Sequence, residues 1–147
     1  SNIMTTVEQL TQIFNDNFIA YLRSHIAHVN IRGRNFASDH ALLNGIYDDL
    51  QNQIDTIAEL LRTLDAFMPA SIYDIIDGTH IPTTTIEGSA DELLSDVLVD
   101  LEHLVECYKE LEEVAEDEDL EHISNYAQDR VLAISKQIWM LKATLEV

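Results

Sequence analysis

The 147-residue chain has little of what most fold classes need. Two prolines and four glycines leave few places to break a helix, and no run alternates β-branched residues in the strand manner. These scarcities set an all-helical expectation. A single cysteine, Cys107, excludes an internal disulfide and suits a reduced, cytoplasmic setting, where it is expected to be a small buried apolar residue. No apolar run is long enough for a membrane span, and no signal-peptide core opens the chain. Positive charge is scarce too: 8 Lys+Arg stand against 27 Asp+Glu, a net charge of -19. Such a surface repels phosphate backbones and attracts cations. There is no nucleophile triad, no Gly-rich phosphate loop and no Cys/His zinc pattern.

What is present is helical periodicity, enough for one domain over 1–147. Ser1-Asn2-Ile3 reads as a residual expression scar before Met4, a plausible start, and residues 1–4 are expected to be disordered or partly scar-derived. Thr5 to Ile31 reads as a first helix, opened by the capping box Thr5-Thr6-Val7-Glu8. Asn30 to Asn35, with Gly33, is a short turn. The second helix, Phe36 to Leu64, carries the apolar stripe Phe36, Leu43, Tyr47, Leu50, Ile54, Ile57, Leu61 and Leu64. Beside it runs a polar line: Asn44, Asp48, Gln51, Asp55, Glu59. Met68-Pro69 ends this helix or follows its end. Ser71 to Asp77 is a short helical piece, and Gly78 to Gly88 is a linker. Ser89-Ala90-Asp91-Glu92 caps a third helix to about Ala115, and a fourth runs from about Asp119 to Leu145. Four amphipathic helices of this length predict a four-helix bundle. The long middle connection, with a short extra helix between helices two and three, lets the third run parallel to the second. This is a ferritin-like connectivity.

His28 ends the first helix and His40 lies one turn into the second, so the hairpin brings the two imidazoles to one level. Asp55 and Glu59, at i and i+4, share a face. They lie on the order of 22 Å along the helix from His40, too far to join it within one chain. Yet 40 with 59 and 44 with 55 both sum to 99, so one antiparallel register of helix two on its own copy satisfies both pairs. A two-fold dimer then yields two metal sites, each with His28 and His40 from one chain and Asp55 and Glu59 from the other.

The run His28-Val29-Asn30-Ile31-Arg32-Gly33-Arg34-Asn35-Phe36-Ala37-Ser38-Asp39-His40 resembles the signature of the Dps-type mini-ferritins, His-Trp-Asn-x-x-Gly-x-Asn-Phe followed by a second His. Asn44 and Asp55-Thr56-Ile57-Ala58-Glu59 keep step with the family's Asp and Asp-x-x-Ala-Glu. Lys136-Gln137-Ile138-Trp139-Met140-Leu141-Lys142-Ala143 is similar to its last-helix motif. The resemblance spans Thr5 to Leu145. It implies a dodecameric cage of two-fold dimers that oxidises iron, typically with hydrogen peroxide, and stores ferric mineral. His28, His40, Asp55 and Glu59 match the ferroxidase ligands. Asn44 stands where the family usually has Asp, which implies weaker metal binding, and Val29 replaces the family's Trp. Residues 1–11 lack Lys and Arg, so no DNA binding is expected.

Asp100-x-x-His103 and Asp119-x-x-His122 read as solvated faces, His25 as a surface or interface residue, and His80 as an exposed linker residue. Trp139 and the tyrosines are expected to be core or interface anchors. Within the acidic run Glu112 to Glu121, the resemblance places Glu116 and Glu121 near a three-fold pore that admits iron. Two rival readings remain: a cage that lost fast oxidation through Asn44 and serves as a structural or slow metal buffer, and a helical adaptor whose acidic face binds basic partners.

Overall fold

The computed structural model describes residues 4–147. The expectation for the extreme N-terminus falls outside these, Met4 excepted. Five helices occur in the order α1 (Thr6–Asn30), α2 (Phe36–Thr63), α3 (Ile72–Gly78), α4 (Ala90–Asp117) and α5 (Glu121–Leu145), with no strand among the described residues. Both predicted capping boxes form. The Thr5 hydroxyl accepts from Glu8 N–H while the Glu8 carboxylate takes Thr5 N–H, and Ser89 and Glu92 repeat the exchange at α4. Each satisfies helix-end donors that otherwise lack a partner.

Helix α2 stops before Pro69, by a different device. Asp65 adopts a left-handed conformation (φ 59°), its N–H bonds the Arg62 carbonyl and Ala66 N–H bonds that of Leu61. Asp119 (φ 59°) ends α4 in the same way, with Asp119 N–H on Glu116 and Leu120 N–H on Ala115. These are Schellman closures with aspartate at the position glycine usually fills.

The chain forms a four-helix bundle with a short extra helix in its long connection. Contacts between α1 and α4 run in opposite numerical order: Arg23 meets Asp100, Asp16 meets His103, Gln9 meets the Cys107 carbonyl, and Thr6 N–H meets Glu118. The two helices are therefore antiparallel. Since α1 and α2 form a hairpin, α4 runs parallel to α2, as the long connection predicts. Across the other side, Asp49 of α2 holds Arg130 and Gln137 of α5, Gln53 accepts from Tyr126, and Thr63 meets His122.

The buried stripe of α2 is Leu43, Ile46, Leu50, Ile57 and Leu61. Burying each aliphatic side chain stabilises the fold by about 1.5–3 kcal/mol. The sequence reading needs two corrections here. Ile46 joins the core, and Phe36 leaves it, 43% exposed and stacked on His40. Trp139 is 63% exposed, so within the chain it is no core anchor, while Tyr108 is fully buried. Asn17 is buried among the apolar positions of α1 because its amide donates to the Leu50 carbonyl.

Candidate metal centre

The turn between α1 and α2 sets the geometry. Gly33 takes φ 130°, a conformation L side chains rarely adopt, and Ile31 beside it is buried. This folds the end of α1 against the start of α2. The His28 and His40 rings stack with centroids 3.8 Å apart and planes 15° from parallel. Each Nδ1 lies 2.8 Å from the backbone carbonyl oxygen of the other histidine. A carbonyl only accepts, so Nδ1 carries the hydrogen in both rings. In the neutral rings both Nε2 atoms keep their lone pairs, the state in which imidazole binds a metal. His28 lies in the last turn of α1, where helix carbonyls lack internal partners, so the His40 Nδ1–H also serves as a cap.

Aromatic rings extend this pair on both sides. Phe36 stacks on His40 at 4.9 Å, Tyr47 tilts against His28 at 4.8 Å, and His25 stacks on Tyr47 at 4.1 Å. The Tyr21 hydroxyl meets His25 Nδ1 at 3.0 Å. His25 is thus one of the rings packed against the pair, more than a plain surface residue. Val29 is exposed.

Asp55 and Glu59 are exposed on α2, with their carboxyl groups adjacent. The hydrogen bond and charge of Asp55 hold Glu59 above its ordinary range. Two neighbouring carboxylates of this kind suit a shared cation, which would relieve their repulsion. Asn44, Asp48 and Gln51 are exposed as well. The whole polar line, with the histidine pair near one end and the carboxylate pair at the other, lies on an open face of α2. The chain brings His28 to His40 and Asp55 to Glu59, and leaves the two pairs apart.

Glu116 and Glu121 are exposed and line a shallow cavity of about 370 Å³ with Asp119, Leu120 and Ser124. Elsewhere the solvated reading of Asp100 and His103 is overturned. Asp100 is buried and its Oδ2 lies 2.7 Å from Arg23 Nε, while His103 Nε2 lies 2.8 Å from Asp16 Oδ2. The hydrogen bond to Asp16 is the chief reason that His103 is pushed up to about 10. Burial works against ionised Asp16, but hydrogen bonds from His103, His80 and Thr79 outweigh it and hold the carboxyl below its usual range. These partners lie 77 and 87 positions away in sequence, where local spacing has no signal. Asp119 and His122 are exposed, as expected, and Cys107 is buried.

A family model, the ferritin-like domain, matches residues 7–147. The chain is 28% identical over 143 residues to a DNA protection during starvation protein of Helicobacter pylori, covering 97% of this chain and 99% of the relative. A Dps structure from Listeria monocytogenes superposes with a TM-score of 0.93 at 23% identity, covering 99% of this chain and 96% of that one, a likeness of fold. A Dps structure from Vibrio cholerae, described as a member of a superfamily of ferritin-like diiron-carboxylate proteins, gives 0.90 at 25% identity, with 99% of each chain covered. The chain belongs to the ferritin-like family, as a Dps-type mini-ferritin.

Proposed function

We propose that the chain is the subunit of an iron-oxidising, iron-storing dodecameric cage, with its ferroxidase sites shared between two-fold related copies. The observation that carries this reading is the reciprocal lock of His28 and His40, which leaves both Nε2 atoms free for Fe(II). The register that sums to 99 sets His40 against the second copy's Glu59 and Asn44 against its Asp55. It also sets Asp48 against Gln51 of the second copy, a carboxylate facing an amide donor. Gly45 has open space around it, so the two helices can approach closely on this line. Hydrogen peroxide is the proposed oxidant: two ferrous ions give one electron each, the O–O bond breaks, and hydrolysis of the ferric product releases protons. His28, His40, Asp55 and Glu59 hold the iron, and the mixed imidazole–carboxylate set suits it. The exposed acids Glu116 and Glu121 are the proposed route for cations into the cage, by like-charge focusing. A reducing cytoplasmic setting suits the free Cys107.

The test is anaerobic Fe(II) titration of the assembled protein followed by peroxide, with oxidation read by absorbance and assembly by size-exclusion chromatography. A monomeric elution, or oxidation no faster than in buffer, overturns the reading. Asn44 favours a second reading, a slow metal buffer, because its carboxamide is neutral where a carboxylate would add charge-assisted binding. Asn44→Asp is expected to tighten Fe(II) binding roughly five- to tenfold in the same titration. An unchanged isotherm would remove Asn44 from the site.

No DNA binding is proposed. With -19 per chain, plasmid DNA is expected to migrate unretarded beside the assembled protein at moderate salt. A retarded band would show a binding surface that net charge conceals.

A further inference from the structure

A second cluster of ligand-type side chains lies away from the His28–His40 pair. Asp16 of α1, His80 of the α3–α4 connection and His103 of α4 bring a carboxylate and two imidazoles together, with one donor atom from each within 4.8 Å of the others. The Asp16 carboxylate is fully buried and its orientation is fixed. Thr79 Oγ1–H and His80 N–H donate to its Oδ1 at 2.8 and 2.7 Å, and His103 Nε2 stands 2.8 Å from Oδ2. Outer hydrogen bonds of this kind hold ligating carboxylates in place. The cluster is open on one edge, since His103 is one-third exposed and His80 is exposed. The His80 and His103 rings meet edge to face at 6.2 Å. Cys107 Sγ lies 3.4 Å from His103 Nε2, outside the three-residue group.

We propose that Asp16, His80 and His103 form an intra-chain site for a borderline-soft divalent cation of the zinc class, with one coordination position left to solvent. Two imidazoles and one carboxylate select this class over calcium or magnesium, which prefer oxygen-only sets. Zinc bonds of about 2.0–2.2 Å place donors about 3.3 Å apart, so His80 closes on the cation while the His103–Asp16 pair, 2.8 Å apart, opens slightly. Exposed His80 and partly exposed His103 make this adjustment, while the buried Asp16 carboxylate stays held by Thr79 and the His80 N–H. In the ion-free chain a proton on His103 Nε2 fills the gap to Asp16. The cation takes that position and the proton leaves to solvent. Binding ties the linker to α1 and α4 at once. The site shares no residue with the proposed ferroxidase centre.

The test uses the assembled protein carrying His28→Ala and Glu59→Ala, which removes the proposed seam site. Zn²⁺ is titrated by calorimetry, and Co²⁺ serves as a spectroscopic probe. The expected result is one Zn²⁺ per chain and a visible Co²⁺ absorption of tetrahedral intensity that Zn²⁺ abolishes. His80→Ala, at an exposed position, is expected to weaken both by tenfold or more with the helical circular dichroism unchanged, and Asp16→Asn to do the same. In chains with the seam ligands intact, His80→Ala is expected to lower total bound zinc by one per chain. Absence of binding in the seam-deleted protein, or binding unaltered by His80→Ala, overturns the proposal. Failure of the ferroxidase reading leaves this stoichiometry unchanged, so the two fail separately.

Discussion

Chains carrying His28→Ala with His40→Ala are expected to be inactive as ferroxidases, as are chains carrying Asp55→Ala with Glu59→Ala. Co-assembled in equal amounts, the two are expected to regain activity. Removing two of four ligands should lower Fe(II) affinity by at least about 100-fold in either parent, since even outer-shell changes cost 10- to 100-fold. The recovery follows from two-fold geometry. In a mixed dimer one site loses all four ligands, while the other takes both histidines from the second chain and both carboxylates from the first. Random pairing makes half the dimers mixed, with one of two sites intact, so roughly a quarter of the unmutated sites return. Stopped-flow oxidation with peroxide on co-expressed chains measures it. If each site lay within one chain, mixing would restore nothing. The separation of the histidine pair from the carboxylate pair along α2 is the reason to expect the first outcome.

The sequence revealed features that act over short range. Both capping boxes lie within four residues, so Thr5 with Glu8 and Ser89 with Glu92 were readable as written. The pairing of His28 with His40 was readable because a five-residue turn leaves a helical hairpin little freedom. What spacing did not provide was the stack itself, or the carbonyl bonds that fix which nitrogen faces outward. The bounds of the second helix were legible to within a residue, while the third long helix, α4, runs two residues past Ala115, to Asp117, because its closure rests on a left-handed Asp119, a position aspartate rarely takes. The burial of Asp100 and the Asp16 contact of His103 are hidden in the sequence for a different reason. Their i, i+3 spacing is what a solvated helix face shows, and only the packing of α4 on α1 turns them inward. Asp16 belongs to the same blind spot: a carboxylate among the apolar positions of α1 is interpretable only once Thr79, His80 and His103 surround it.

The largest stability change is expected at the buried pair joining α1 to α4. Arg23→Met is expected to destabilise the chain by about 2–3 kcal/mol near pH 8, because it leaves the buried Asp100 carboxylate without its compensating charge, and proton uptake by Asp100 limits the cost at that pH. Methionine itself fits, since the Arg23 stem borders an apolar cavity of about 450 Å³ lined by Ile19, Leu22, Ile26 and Ile76. The cost should depend on pH in a defined direction. Burial raises Asp100 to about 6 even with Arg23 beside it, above its unfolded value near 3.8. The folded chain therefore holds this proton more tightly than the unfolded one, and the group's contribution to stability falls as pH rises from about 4 to 6. Without Arg23 the folded value climbs further, so the decline continues to higher pH. Near pH 5 Asp100 is largely protonated in both proteins, and the difference between them should shrink to a small fraction of its value at pH 8. Urea unfolding at matched protein concentration, at both pH values, measures it. Arg23→Met with Asp100→Leu removes both charges and should recover most of the loss. If Arg23→Met were equally costly at both pH values, the guanidinium would be stabilising the bundle through its packed stem and its contact with the Thr84 carbonyl, and the Asp100 charge would be incidental.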